Sequence, residues 1–265
     1  MTVAADRGPE PTVDGRVAIV TGASRGVGRE IARALAAAGC QVVGVSRSGS
    51  DIGHSVAADL SSPGDVDRLA GEVRATVGIP SILVNAAGAY GPLGLVADTD
   101  PHEWIGTFGI NTIAPYLTCR AFVPGMLRAG WGRIVNLTSA ASLHPPSPLN
   151  SAYATSKVSL NHFTRSLASE LEGTGVTANV LHPGDLQTDM WGDIETRANQ
   201  LGPDGEPYRR WVEWVRETGG DPVEKASSAI LAIIAGSSNG RFHWIDQPLQ
   251  DPIPSWSAAV DARPW

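Results

Sequence analysis

Residues 17–28 read VAIVTGASRGVG, and the fold prediction depends on this stretch. Val17–Thr21 is a short apolar run rich in β-branched residues, which indicates a buried strand. A glycine-rich turn follows and leads into REIARALAAAGC, an alanine-rich segment that predicts a helix ending at Gly39. Glycines between a first strand and its helix let the backbone approach a pyrophosphate at the helix N-terminus. The stretch therefore predicts the first strand–helix unit of a dinucleotide-binding fold.

Strand and helix signals alternate along the rest of the chain. Further strands are predicted in QVVGVS, HSVAADL, SILVNAAG, GRIVNLTS, VTANVLHPG and RFHWI. Helices are predicted over residues 62–77, 100–129 and 151–172. This alternation indicates an α/β fold, a Rossmann-type doubly wound parallel sheet of about seven strands with helices on both faces. We expect a single domain over residues 15–246, a flexible lead-in over 1–14 and an extended tail over 247–265.

Composition and charge exclude several classes of function. The net charge is −7, and the chain has no basic cluster that would bind nucleic acid or anionic lipid. No apolar run approaches the ~20 residues of a membrane span, and the first residues lack the apolar core of a signal peptide. Two cysteines and six scattered histidines suggest neither a disulfide nor a metal site. We expect a cytoplasmic protein without metal, nucleic-acid or membrane partners.

Tyr153 and Lys157 lie four residues apart in the segment YATSK, within a predicted helix. Residues at this spacing share a helix face, with Cβ atoms roughly 6 Å apart. An ammonium at that distance favours the phenolate, so we expect Lys157 to lower the pKa of Tyr153. By itself, the same spacing is also typical of a half-buried tyrosine that packs on an exposed lysine stem. Other motifs have to decide between the two interpretations.

Several motifs agree with one known family in both order and spacing. Ser139 precedes Tyr153 by fourteen residues, and Asn111 lies in a predicted helix. The other motifs are Thr21-Gly22-Ala23-Ser24-Arg25-Gly26-Val27-Gly28, Asp59-Leu60, Asn85-Ala86-Ala87-Gly88 and Pro183-Gly184 followed by Thr188. With them, residues 15–188 resemble the short-chain dehydrogenase/reductase family, and the chain up to about residue 245 resembles it more loosely. One departure is Ala86, which replaces the second asparagine of the family's N-N-A-G motif.

The resemblance implies a chemical role for each matched residue. Tyr153 would protonate a carbonyl oxygen as hydride arrives from a nicotinamide, and Ser139 would hold that oxygen. Lys157 would also bind the nicotinamide ribose, and Asn111 would anchor a water that links Lys157 to solvent. The implied cofactor site consists of Gly22, Ser24, Arg25, Gly26, Val27, Gly28, Ser46, Arg47, Asp59, Leu60, Asn85, Ala86, Gly88, Tyr153, Lys157, Pro183, Gly184 and Thr188.

The end of the second predicted strand bears on which nicotinamide cofactor is used. Family members that prefer NAD carry an acidic residue there, which binds the ribose hydroxyls. Here the position is Ser46, followed by Arg47, and Arg25 lies in the glycine-rich turn. Two guanidinium groups and no carboxylate favour a 2′-phosphate. The sequence therefore predicts NADPH as the cofactor.

The resemblance places the substrate lid in residues 185–221. Tyr90, His144 and Trp191 are candidate substrate-binding residues, together with Ser139 and Tyr153. The lid segment also carries Tyr208, Trp211 and Trp214. The last two lie at positions i and i+3, so a helix face that packs on the core explains them equally well.

We therefore expect an NADPH-dependent short-chain reductase that acts on a bulky, apolar ketone and, in reverse, on an alcohol. A 3-oxoacyl-carrier-protein reductase is one alternative, although it would need basic residues to dock an acidic carrier. A cofactor-assisted epimerase or dehydratase is another. A non-catalytic NADP-binding regulator is the third, and the Ser-Tyr-Lys-Asn set argues against it. The family commonly forms homodimers and homotetramers, so we expect one of these.

Overall fold

The computed structural model describes residues 13–144 and 146–246, and these residues confirm the predicted fold class. Seven strands form one sheet in the order β3-β2-β1-β4-β5-β6-β7, and every neighbouring pair is parallel. The predicted lead-in up to residue 12 and the predicted tail over 247–265 lie outside the described residues. The strands are β1 (Val17–Thr21), β2 (Gln41–Ser46), β3 (His54–Ala57), β4 (Ile82–Asn85), β5 (Gly132–Leu137), β6 (Val176–His182) and β7 (Phe242–Trp244).

Eight α-helices lie within the described residues. Helices α3 and α4 are joined by a π-helical turn over Gly109–Ile113, and a short 3-10 turn over Gly202–Gly205 joins α6 to α7. The helices are α1 (Gly26–Ala37), α2 (Pro63–Thr76), α3 (Pro101–Phe108), α4 (Ala114–Ala129), α5 (Ser151–Glu170), α6 (Asp189–Gln200), α7 (Glu206–Thr218) and α8 (Val223–Ala235).

Hydrophobic cores cover both faces of the sheet. On one face, Ala18 and Val20 of β1 pack with apolar side chains of α1 and α8. On the other face, Ile19 of the same strand packs with side chains of α2, α4 and α5. Burial on both faces explains why the strands are continuous apolar runs and do not alternate with polar residues.

The strand order reverses between β1 and β4. From β1 the chain first adds β2 and β3 on one side, and β4 then pairs with the other side of β1. The loops at the carboxyl ends of β1 and β4 therefore diverge and leave a crevice, which is where ligands of such sheets bind. The glycine-rich turn and the loop after β4 lie on either side of this crevice.

Residues 185–221 form a helical hairpin of α6 and α7. Ile194 and Ala198 of α6 and Tyr208 and Val212 of α7 pack in a third apolar cluster with Leu93 and Leu149. None of the described helices is long and apolar enough to cross a membrane.

Candidate active site

A cavity of about 870 Å³ opens at the carboxyl ends of the strands. It contains all the residues predicted for the site except Asn85, Asn111 and His144. The predicted residues that line it are Gly22, Ser24, Arg25, Gly26, Val27, Gly28, Ser46, Arg47, Asp59, Leu60, Ala86, Gly88, Tyr90, Ser139, Tyr153, Lys157, Pro183, Gly184, Thr188 and Trp191.

The glycine-rich turn brings the backbone of β1 against that of β4. Gly22 has a φ of +69°, and a Cβ there would lie 2.8 Å from the main chain of Ala87. A Cβ on Gly28, in the first turn of α1, would overlap the carbonyl oxygen of Gly22. Thr21 Oγ1 accepts the N–H groups of Ala86 at 3.0 Å and Ala87 at 3.1 Å. Only glycine therefore allows the close approach that leaves the start of α1 open to the cavity.

Ser139 and Tyr153 lie together on the cavity wall. Ser139 follows β5, and its Oγ accepts the N–H of Ala141 at 3.2 Å, which caps a 3-10 turn. Tyr153 lies in the first turn of α5 and lines the cavity together with Ser139, which favours the ionised phenol and so lowers its pKa. Its ring stacks on Tyr90, with a centroid separation of 4.6 Å. The stacking fixes the phenol beside the serine hydroxyl.

Lys157 lies one turn further along α5 and is almost completely buried. Its Nζ donates to the carbonyl oxygen of Leu137 at 2.8 Å and lies 5.7 Å from the ring centroid of Tyr153. Burial lowers the pKa of Lys157 from 10.5 to about 8. Among residues 13–144 and 146–246, no carboxylate forms an ion pair with this ammonium, which faces the same cavity as the phenol.

The expectation that the pKa of Tyr153 is lowered was wrong. Burial raises it, the hydrogen bond with Ser139 offsets this only in part, and the negative charge of Asp185 raises it further. The physical reason is desolvation, which disfavours the phenolate more strongly than the surrounding polar groups favour it. The phenol is therefore held in its protonated form at neutral pH.

Asn111 lies in the π-helical turn between α3 and α4, and its side chain is fully buried. Its Nδ2 donates to the carbonyl oxygen of Ala89 at 2.8 Å and to Ser156 Oγ at 3.0 Å. Its Oδ1 accepts the N–H of Ala89 at 2.9 Å. These bonds tie the loop after β4 to α5, so the structure shows Asn111 positioning the backbone around Lys157. The predicted water relay remains a prediction.

The residues predicted for the adenosine end lie around the end of β2. Ser46 ends that strand, and Arg47 is exposed beside it. The positive charge of Arg47 helps to lower the pKa of Asp59, after the larger effect of hydrogen bonds from Ser61. Arg25 instead forms an exposed ion pair with Asp189 of α6 at 3.1 Å. Such a pair contributes only about 0–1 kcal/mol, so a phosphate could replace Asp189 as the partner of Arg25.

Two residues that the sequence analysis predicted for the site, Asn85 and His144, do not line the cavity. Asn85 is buried in the sheet, where its Nδ2 donates to Asn136 Oδ1 at 2.8 Å and its Oδ1 accepts from Thr118 at 2.8 Å. Its amide joins β4 to β5 and does not line the cavity. His144 is also outside the cavity lining and stacks on Trp244, with a centroid separation of 6.1 Å.

Two cavity groups were not singled out from the sequence for the site chemistry, Asp185 and His182. Asp185 follows Pro183-Gly184 and lines the cavity together with Trp211 of α7. His182 lines the cavity as a neutral group: its Nδ1 accepts the N–H of Ala140 at 3.3 Å, and burial lowers its pKa to about 4. A position after a strand end was the only available signal for the aspartate.

Comparison with known proteins supports the assignment that the site suggests. The family model described as short chain dehydrogenase matches residues 16–199. A short-chain type dehydrogenase/reductase of Picea abies is 37% identical over 74% of this chain and 80% of its own length. The 3-oxoacyl-[acyl-carrier-protein] reductase FabG of Pseudomonas aeruginosa is 34% identical over 68% of this chain and 77% of its own length.

A solved structure is similar as well. It is a metagenomic short-chain oxidoreductase in complex with NADP, 35% identical, with a TM-score of 0.61 over 67% of this chain and 86% of that one. The fold and the site thus define an oxidoreductase that acts on alcohol or carbonyl groups with a nicotinamide cofactor. The chain belongs to the short-chain dehydrogenase family.

The cavity fits such a cofactor on its own geometry. The close approach at Gly22 and Gly28 leaves the N-terminus of α1 accessible to a pyrophosphate. Gly26 and Thr188 are neighbours in the cavity lining. A Cβ on Gly26 would lie 3.7 Å from Thr188 Cγ2, which is an ordinary van der Waals contact. In the described residues, no group of three or more His, Cys, Asp or Glu could hold a metal ion.

Proposed function

We propose that this protein is an NADPH-dependent reductase of a bulky, largely apolar ketone and, in reverse, a dehydrogenase of the alcohol. One observation carries the proposal: Ser139, Tyr153 and Lys157 line the same cavity as the glycine-rich turn. A protein that only sensed the cofactor would need the turn and not the proton-transfer groups. The set therefore favours turnover over a purely regulatory role.

The proton chemistry follows from the protonation states of the site. When bound, NADPH supplies a hydride to the carbonyl carbon. Ser139 holds the carbonyl oxygen, and Tyr153, which is kept protonated by burial, donates its phenolic proton to that oxygen. The ammonium of Lys157 stabilises the phenolate that remains. The C=O bond thereby becomes CH–OH, with one hydride and one proton added.

The preference for NADPH is supported by the charges at the end of β2. Arg47 lies at the cavity edge, and no carboxylate occupies the position of Ser46. Arg47 forms no ion pair with any other residue in the described ranges 13–144 and 146–246. A 2′-phosphate is the ligand that suits an exposed guanidinium in this place.

The preference for a bulky ketone is supported by the aromatic and apolar side chains that line the cavity. Tyr90, Trp191 and Trp211 line the cavity together with Met190 and Ile194. Aromatic side chains supply large apolar contact areas with few degrees of freedom. We propose that residues 185–221 close over the substrate and exclude water during hydride transfer.

A 3-oxoacyl-carrier-protein reductase is the second candidate, because a relative with that name is similar over most of its length. Docking an acidic carrier would require basic residues around the cavity mouth. Two arginines that line the cavity are already paired, Arg25 with Asp189 and Arg197 with Glu103 at 3.0 Å. The carboxylates of Asp189 and Glu103 offset the positive charge of these two arginines, which favours a free ketone over one held by an acidic carrier.

The decisive assay follows NADPH absorbance with a panel of aryl and cyclic ketones. Tyr153→Phe keeps the ring that stacks on Tyr90 and removes only the proton donor. We expect it to retain NADPH binding and melting temperature and to lose about 10²–10⁴-fold in turnover. Tyr116→Phe is the matched control, since Tyr116 is an exposed tyrosine on α4. Wild-type reduction rates in Tyr153→Phe would refute the mechanism.

A further inference from the structure

Asp185 is a half-buried carboxylate on the cavity wall, three residues after the end of β6. Two hydrogen bonds with Asp221 fix its backbone. The N–H of Asp185 donates to Asp221 Oδ2 at 2.9 Å, and the carbonyl oxygen of Asp185 accepts the N–H of Asp221 at 2.9 Å. Gly184 allows this contact, because a Cβ there would lie 2.5 Å from Asp221 Oδ2. These bonds use the main chain of Asp185 and fix its position at the base of the α6–α7 hairpin.

The carboxylate of Asp185 lacks a cationic partner in the described part of the chain. Burial raises its pKa, a hydrogen bond from Trp211 lowers it, the charge of Asp221 raises it, and His144 lowers it. The nearby ammonium of Lys225 is directed to Asp221 at 3.6 Å and to Asp246 at 2.7 Å. No Lys or Arg in residues 13–144 or 146–246 forms an ion pair with Asp185.

Asp185 lines the same cavity as Ser139 and Tyr153. Its negative charge is also one of the causes that raise the pKa of Tyr153. A substrate whose carbonyl oxygen lies at Ser139 and Tyr153 would therefore share this cavity with the Asp185 carboxylate. Trp211 contributes an aromatic ring to the lining of the same cavity.

We propose that Asp185 is a specificity-determining residue that binds a protonated amine, so that the substrate is an amino ketone with an apolar body. This inference rests on the proposed carbonyl reduction and specifies its substrate class. The ammonium would replace the missing partner of a carboxylate that burial disfavours. The aromatic wall would hold the apolar body, and the ring of Trp211 would add an attraction for the cation.

The test compares two ketones that differ by an ammonium in place of a methyl group: protonated 3-amino-1-phenylpropan-1-one and butyrophenone. Asp185→Asn removes the charge and keeps the shape and the hydrogen-bond acceptor for Trp211. We expect it to lower kcat/KM for the amino ketone by about tenfold to hundredfold and for butyrophenone by less than about threefold. Asp204→Asn is the control, because it removes the same charge from an exposed position of the hairpin outside the cavity.

A binding measurement separates this proposal from the proposed function. Titration calorimetry with 3-phenylpropylamine, which cannot be reduced, should show binding to the wild type and to Asp204→Asn and about tenfold or greater weakening in Asp185→Asn. If NADPH reduces no ketone but this amine pattern holds, the proposed function fails and the cation site stands. An equal loss for both ketones, with amine binding unchanged, would overturn the cation site and assign Asp185 to the cofactor or the fold. If Asp185→Asn does not fold, as judged by its melting curve, Asp185→Ser is the second variant for both measurements.

Discussion

Replacing Lys157 by Met should make the free energy of unfolding change less with pH in the alkaline range. The chain has two lysines, and this one is only 5% exposed, with a pKa lowered from 10.5 to about 8 by burial. Between these two values the unfolded chain retains a proton that the folded protein has already released. The unfolded state then binds more protons, so the free energy of unfolding of the wild type rises with pH in this window. Met does not titrate, so the variant lacks this contribution.

The expected size follows from the difference of about 2.5 between the two pKa values of Lys157. Each pKa unit corresponds to about 1.4 kcal/mol. The free energy of unfolding of the wild type should therefore rise by up to about 3 kcal/mol relative to that of Lys157→Met between pH 8 and pH 10.5. The variant also leaves the carbonyl of Leu137 without its donor, at a cost of about 1–3 kcal/mol. That cost does not depend on pH, so it displaces the difference curve without changing its slope.

The assay is urea unfolding of both proteins at several pH values from about 7 to about 10.5, plotted as the difference in unfolding free energy. The other titrating groups are common to both proteins and cancel. Lys225→Met is the control, because Lys225 is exposed and Asp246 raises its pKa, so its contribution to stability is lost as pH rises. A Lys157→Met difference curve that stays flat or falls between pH 8 and pH 10.5 would refute the assignment of Lys157 as a buried, desolvated ammonium.

Three further outcomes test other parts of the site. Arg47→Ala should weaken NADPH binding by about tenfold to hundredfold and leave NADH binding nearly unchanged in a fluorescence titration, whereas equal losses would contradict the 2′-phosphate contact. Trp191→Ala should raise KM or lower kcat with little change in melting temperature, and Trp214→Ala, at a 40% exposed position, should change neither; a large fall in melting temperature with unchanged kinetics would show that Trp191 is structural. Gly22→Ala should destabilise the fold more than Gly15→Ala, because both sites have positive φ but only Gly22 lacks space for a Cβ. Equal denaturation midpoints for the two glycine variants would remove steric closeness as the reason for glycine in the turn.

The sequence predicted the fold well because the signals that define it are local. Each strand is buried on both faces, so runs such as Val17–Thr21 are apolar throughout and stand out from the amphipathic helices. The strand at His54–Ala57 is shorter than predicted, since the next residues already turn toward α2: the N–H of Asp59 donates to Asp65 at 2.8 Å. The glycine-rich turn and the Tyr153–Lys157 pair were likewise found from short-range spacing.

The side-chain orientations and the pKa direction that the sequence did not predict depend on contacts between distant parts of the chain. Whether the amide of Asn85 faces the cavity or the sheet is decided by Asn136, fifty-one residues away. The ring of His144 is turned toward Trp244, one hundred residues away. The direction of the pKa change of Tyr153 depends on the desolvation of the assembled site, to which α5, the loop after β4 and the α6–α7 hairpin all contribute. No spacing rule contains that information.

Two charged groups that line the cavity together with Tyr153 explain how the free protein is prepared to bind its ligands. Lys157 and Asp185 are both held where burial disfavours their ionised forms, and the described residues give neither an oppositely charged partner. Folding therefore has to overcome an unfavourable desolvation energy at both positions. A ligand that supplies hydroxyl groups to the ammonium, or a cation to the carboxylate, removes part of that energy when it binds. The same two residues are thus expected to limit the stability of the free protein and to strengthen ligand binding, which is the usual relation between stability and activity at a functional site.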